Sequence, residues 1–222
     1  MTLVRPDTAK EIVAILEDTY RGIGPALKFG SVFQLLVAVI LSAQTNDNQV
    51  NRITEKLFPL YPDAAAFAAL APEELEPLIS SCGLYKNKAK NIVAAARIIR
   101  DEYGGEVPRT KEELVALPGV GGKTANVVLA VGFGIPALAV DTHVFRVANR
   151  LGLAEAKTPE QAEAALTALI PREKWAEAHH WLIWHGRKRC ASRKPLCGEC
   201  PCATLCPYHL EQDAAEKAKN GK

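Results

Sequence analysis

An all-α fold is expected of this chain on three observations. Apolar residues recur at helical spacing over nearly its whole length, no stretch shows the alternation of a half-buried strand, and the links between periodic segments are short and carry glycine or proline. At 222 residues it can form one or two domains with a sizeable core. Composition is that of an ordinary globular protein, 48% hydrophobic and 23% charged, and the net charge of +2 does not by itself announce a polyanionic partner. The main apolar runs, 33–41 and 127–140, are interrupted and fall short of the ~20 residues that span a bilayer. Arg5, Asp7, Lys10 and Glu11 break any signal-peptide pattern. A cytoplasmic, monomeric protein without membrane contact is expected.

Asp7 or Thr8 is placed to cap a first helix reaching about Tyr20. Ser31 caps an apolar helix ending near Gln44, and Asp47 opens the next, to about Phe58 before Pro59. Pro72 suits the first turn of another, ending near Ser80. Helices follow over 87–102, 110–116, 123–131, 142–151, 158–169 and 173–188. Beyond Lys188 the periodicity gives way to Cys, Pro and Gly, and the polar last dozen residues are expected to fray. A faint repeat is visible. Glu73-Glu74-Leu75 precedes Lys88-Ala89-Lys90-Asn91-Ile92-Val93 as Glu112-Glu113-Leu114 precedes Lys123-Thr124-Ala125-Asn126-Val127-Val128. Two related helix pairs, or chance likeness between amphipathic helices, would produce it.

Charge is distributed unevenly. Lys86, Lys88, Lys90, Arg97 and Arg100 lie in one acid-free stretch, and Arg187, Lys188, Arg189, Arg193 and Lys194 in another. Such clusters suit a phosphate backbone, although a solvated helix face looks the same. The turn Leu117-Pro118-Gly119-Val120-Gly121-Gly122 is more specific. Proline ends one helix, the glycines let backbone N–H groups approach a phosphate closely, and the next helix points its positive end the same way. It reads as a DNA-backbone clamp, or more plainly as a tight interhelical turn. It is not a Walker loop, because the Gly-x-x-x-x-Gly-Lys spacing is absent.

Lys123 starts the helix after this turn. The helix dipole there, together with partial burial, would favour its free amine, the nucleophilic form. An amine attacking an anomeric carbon displaces a base and leaves a Schiff base, from which a 3′ phosphate departs by β-elimination. Asp141 precedes another amphipathic helix; it suits an N-cap, a carboxylate that stabilises charge at that carbon, or both. Five of six cysteines fall between Cys190 and Cys206. Cys190, Cys197, Cys200 and Cys206 are spaced Cys-x6-Cys-x2-Cys-x5-Cys, compatible with zinc or an iron–sulfur cluster. Arg193 and Lys194 lie inside this loop, where a metal would staple them against phosphate.

The hairpin, the Asp141 segment and the cysteine spacing together resemble the endonuclease III family, and the likeness runs from about Ile12 to Cys206. The resemblance implies a two-lobed helix-hairpin-helix DNA glycosylase fold. A six-helix barrel domain would cover 25–134, and a discontinuous iron–sulfur domain 1–24 and 135–222. It implies Lys123 and Asp141 as catalytic pair, and a [4Fe-4S] cluster on Cys190, Cys197, Cys200 and Cys206, with Cys202 left over and Cys82 in the core. DNA contacts would come from the backbone of Gly119, Val120, Gly121 and Gly122. Gln44 would enter the gap left by an extruded nucleotide, and Leu84 would wedge into the opposite strand. The family commonly carries arginine where this chain has Gly122 and threonine where it has Asn46. The related adenine glycosylases lack the lysine, so Lys123 favours the bifunctional branch. The activity implied is removal of oxidised pyrimidines from double-stranded DNA and cleavage at the abasic site. A glycosylase for another lesion or mismatch, or a non-catalytic DNA-binding module with a structural metal, are the alternatives.

Overall fold

The computed structural model describes residues 2–220, and among them there is helix and loop but no strand. The chain divides into two compact units, Pro25–Ile135 and the pair of segments Met1–Gly24 with Pro136–Lys222. Helix α1 (Pro6–Thr19) belongs to the discontinuous unit. The chain then builds the continuous unit from α2 (Val32–Ser42), α3 (Asp47–Leu57), α4 (Ala64–Ala68), α5 (Pro72–Ile79), α6 (Tyr85–Glu102), α7 (Lys111–Ala116) and α8 (Gly122–Val127). It returns for α9 (Thr142–Arg150), α10 (Pro159–Leu169), α11 (Trp175–Lys188) and α12 (Pro207–Asn220).

Helix α2 is the axis of the continuous unit. It is apolar except for Gln34 and the terminal Ser42, and Phe33 and every residue from Leu35 to Leu41 are buried. A helix hydrophobic all round must be enclosed, and α3, α6 and α8 pack against it. Helix α8 continues as a π-helical turn, Val128–Gly132, that also lies on α2. Glycine is required at 132, since a Cβ there would sit 2.9 Å from Cγ1 of Val32. The 18-residue α6 carries α4 and α5 on its flank. In the discontinuous unit, α1 and α9 both pack on α11, and α10 covers α9. Ile12, Leu16, Val144, Val147, Leu166 and Trp181 form its centre, and Cys202 and Cys206 belong to the same core.

Several local expectations are corrected. Neither Asp7 nor Thr8 caps α1; Pro6 occupies its first turn, where a missing N–H costs nothing. Asn46, rather than Asp47, caps α3, accepting from Gln49 N at 2.9 Å, so this departure from threonine still supplies a side-chain oxygen to the helix end. The five-residue α4 was too short to show a period; Asp63 caps it. Helix α6 begins at Tyr85 instead of 87. The polar stretch from 211 is helical through Asn220, and Gly221 and Lys222 lie outside the described residues. No described helix is long and apolar enough to cross a membrane.

Phe67 is fully buried on α4, edge-on to Phe33 of α2 at 5.5 Å. Phe67→Ala is expected to cost about 3–5 kcal/mol, measured as a fall in denaturation midpoint.

Candidate functional site

The hairpin joins α7 to α8 through Leu117–Gly121, with Gly119 at φ +79°. A Cβ at 119 would lie 2.9 Å from Cβ of Asn91 on α6, so both backbone angle and close approach demand glycine here. Gly121 and Gly122 differ: a Cβ at either would meet nothing within 4 Å. Packing within the protein therefore does not require them, and their bare backbone faces outward. Val120 is buried, pinning the turn. Lys123 follows as the second residue of α8 and is exposed, so the partial burial expected of it is not found.

Gln44 and Leu84 are the two non-glycine residues with positive φ among those described, at 56° and 59°. Both are exposed. Gln44 follows the last turn of α2 and Leu84 is the N-cap of α6. The structure brings their loops together: a Cβ at Gly83 would stand 3.5 Å from the Gln44 carbonyl. The first basic cluster is only partly available to an outside anion. Arg97 donates to the carbonyls of Ala68 and Leu70, Arg100 pairs with Asp101, and Lys88 is buried, whereas Lys86 and Lys90 are exposed.

Asp141 caps α9, its Oδ1 accepting from the N–H groups of His143 and Val144, each at 2.8 Å. Oδ2 takes neither bond, so the cap leaves half the carboxylate for other work. One turn and two turns further along α9, Arg146 and Arg150 reach the cysteine loop. Arg146 Nε donates to the Cys190 carbonyl at 3.1 Å. Arg150 donates to the carbonyls of Ala191 and Ser192 at 2.8 and 2.9 Å and stacks on Tyr208. Their i, i+4 spacing was the sequence signal for a shared face; the carbonyls that they grip carried none. Arg193 and Lys194 beyond that grip are exposed.

Cys190, Cys197, Cys200 and Cys206 line one small pocket, together with His185 and Tyr208. Cys202 is not on its wall and is fully buried. Cys82 is buried in the other unit. Burial pushes the Cys197 thiol up and the Cys206 thiol to about 11. A hydrogen bond from Cys202 holds Cys200 below the usual thiol range, against its desolvation, with His185 Nε2 at 3.5 Å assisting; Cys202 is raised in turn. Arg150 approaches Cys190 Sγ at 3.6 Å. Buried thiols resist ionisation unless a metal cation neutralises them, so this donor set fits a cationic centre. Among the described residues no three His, Cys, Asp or Glu groups converge on a single-ion site. The fully buried His185, which also meets the Tyr20 hydroxyl at 3.2 Å, had no local signature in the sequence.

A family model described as HhH-GPD superfamily base excision DNA repair protein matches residues 37–172, from α2 through the hairpin and Asp141. The chain is 52% identical to endonuclease III of Synechocystis sp. over 200 residues, 90% of this chain and 91% of that one. It is 49% identical to endonuclease III of Escherichia coli over 187 residues, 84% and 89% of the two chains. Its fold superposes on a trapped endonuclease III–DNA covalent intermediate with a TM-score of 0.91 at 40% identity, covering 95% of this chain and 100% of that one. A thermostable thymine-DNA glycosylase matches at 0.83 with 27% identity, covering 92% and 98%. Fold and sequence thus define a base-excision DNA repair protein of the helix-hairpin-helix class. Within that class the chain belongs to the endonuclease III family.

Burial lowers the pKa of His180, and of His143 despite the opposing charge of Asp141. A depressed folded-state pKa contributes stability that is present above the unfolded value of about 6.5 and lost as pH falls through the folded value. Thermal midpoints should therefore drop between about pH 7.5 and 5, and His180→Gln should shrink that drop.

Proposed function

We propose that this protein removes oxidised pyrimidines from double-stranded DNA and cleaves the resulting abasic site, with Lys123 as nucleophile. The observation that carries this reading is the hairpin itself: Gly121 and Gly122 open toward empty space directly before the exposed Lys123. Backbone N–H groups there can bind a phosphate beside the attacked sugar. The unprotonated amine of Lys123 attacks C1′; the N-glycosidic bond breaks, and its electron pair leaves with the base, which takes up a proton. Ring opening gives the protonated Schiff base. Loss of a C2′ proton then expels the 3′ phosphate by β-elimination, and hydrolysis frees the lysine. Asp141, with Oδ1 committed to the helix cap, offers Oδ2 to the positive charge developing at C1′ and to the proton transfers.

Gln44 and Leu84 suit extrusion of the nucleotide, Gln44 filling the gap and Leu84 parting the opposite strand. Their exposure on adjoining loops supports this. The four cavity-lining cysteines hold a [4Fe-4S] cluster in this reading, with Cys202 outside the set. When bound, the cluster supplies a charge-neutralising anchor rather than reaction chemistry. Arg146 and Arg150 then fix the loop that presents Arg193 and Lys194 to the DNA backbone.

Borohydride trapping on abasic-site DNA is expected to give a covalent adduct that disappears in Lys123→Gln. A persisting adduct would move the nucleophile elsewhere, and no adduct with the unaltered protein would favour a non-catalytic module. The purified protein should be brown, absorbing near ~400 nm. Cys197→Ser should lose iron and Cys202→Ser retain it; zinc in place of iron would overturn the cluster assignment.

A further inference from the structure

Lys88 stands in the first copy of the internal repeat where Lys123 stands in the second. The two have opposite surroundings. Lys123 is exposed, whereas Lys88 is 5% exposed. Lys88 Nζ donates to the carbonyls of Leu41 at 2.8 Å and Ala43 at 2.6 Å, and to Thr45 Oγ1 at 3.1 Å. An ammonium has three protons, and all three are used. With its bonds committed to the protein and its charge turned inward, Lys88 is no candidate nucleophile.

We infer that Lys88 is a positioning residue for nucleotide extrusion, its ammonium and its backbone together holding the Gln44 and Leu84 loops as one wedge. This rests on the base-excision reading above. The geometry is specific. Two of the three acceptors, Ala43 and Thr45, flank Gln44 on either side. The Lys88 backbone N–H donates to the Leu84 carbonyl at 3.1 Å. The ammonium thus brackets one left-handed position, and the main-chain bond, the first of α6, sets Lys88 one turn from the other. Such backbone angles in non-glycine residues persist only where their surroundings impose them. Further ties join the loops: Gln49 Nε2 donates to Ser81 Oγ at 2.7 Å, and Cys82 Sγ lies 3.9 Å from the Leu41 carbonyl.

The charge has a local purpose. Helix α2 has no basic residue in its last turn, and its C-terminal carbonyls carry the negative end of the dipole. Lys88 supplies the missing cation from α6. Burial lowers its pKa, so the fold holds this charge at a cost. A plain helix cap would not need to sit on either side of one exposed, strained residue.

The test uses the full-length, cluster-loaded protein. Lys88→Met keeps the aliphatic stem and removes the ammonium. At saturating enzyme, single-turnover excision of an oxidised pyrimidine from duplex DNA should fall on the order of tenfold. Borohydride trapping on a single-stranded abasic oligonucleotide, which has no stack to open and no opposite strand to part, should be unchanged. Adding Gln44→Ala should slow excision no further than the slower single variant, because both changes disable one device. Equal loss on both substrates, or losses that multiply, would overturn the inference. Should Lys88→Met fail to fold, Thr45→Val removes one acceptor and goes through the same comparison. A smaller fall confined to the duplex supports the inference, and an unchanged duplex rate overturns it. Absence of duplex excision by the unaltered protein defeats the base-excision reading itself; an active protein indifferent to Lys88→Met defeats only the positioning role.

Discussion

A helix leaves about four N–H groups and four carbonyls without partners at its ends, and a chain made of short helices has many such ends to satisfy. Much of the functional apparatus here does that work. Asp141 closes the amino end of α9 through one carboxylate oxygen. Lys88 closes the carboxyl end of α2 from another helix, and Arg97 takes the carbonyls of Ala68 and Leu70 at and just past the end of α4. Arg146 and Arg150 take those of the loop after α11. Among the described residues, no buried side-chain nitrogen or oxygen lacks a hydrogen-bond partner. The hairpin glycines are the contrast: at Gly121 and Gly122 a Cβ would meet nothing within 4 Å, so the start of α8 lies open.

Backbone strain is concentrated rather than spread. Gln44 and Leu84 hold a conformation that an L side chain resists, and both sit on the loops proposed to open the duplex. Helix α6 underlies them. Leu84 caps it, Lys88 clamps the facing loop one turn in, and Asn91 forms the floor on which Gly119 of the hairpin rests. The Gln44 and Leu84 loops and the hairpin turn thereby share one support inside the continuous unit.

The thiol cavity follows a different logic. Two of its four thiols, Cys197 and Cys206, are held from ionising by burial, and its loop includes two short 3-10 turns that bury little of their own. Such a loop needs either a metal or a neighbour to hold it. Helix α9 provides the neighbour: its two arginines bond to the loop's backbone, so the helix capped by Asp141 also anchors the proposed cluster loop.

The helical fold and the family were legible in the sequence because their signals are local. Periodicity is set within a few turns, a capping residue lies next to its helix, and the hairpin and the cysteine spacing each occupy one short stretch. The residue types of the candidate site were legible for the same reason. Their surroundings were not. The same motif, Lys-x-x-Asn-apolar-Val, places Lys123 at the surface and Lys88 in the interior, and nothing within either copy distinguishes them. The difference arises because the carbonyl end of α2 lies against α6, a contact between residues more than forty positions apart. Spacing alone likewise left Cys202 beside the others; the family pattern set it apart, and in the structure it is absent from the pocket wall that the other four line. Sequence determines which groups a helix presents; whether a presented charge meets water, a carbonyl or a thiol depends on which other helix end is packed there.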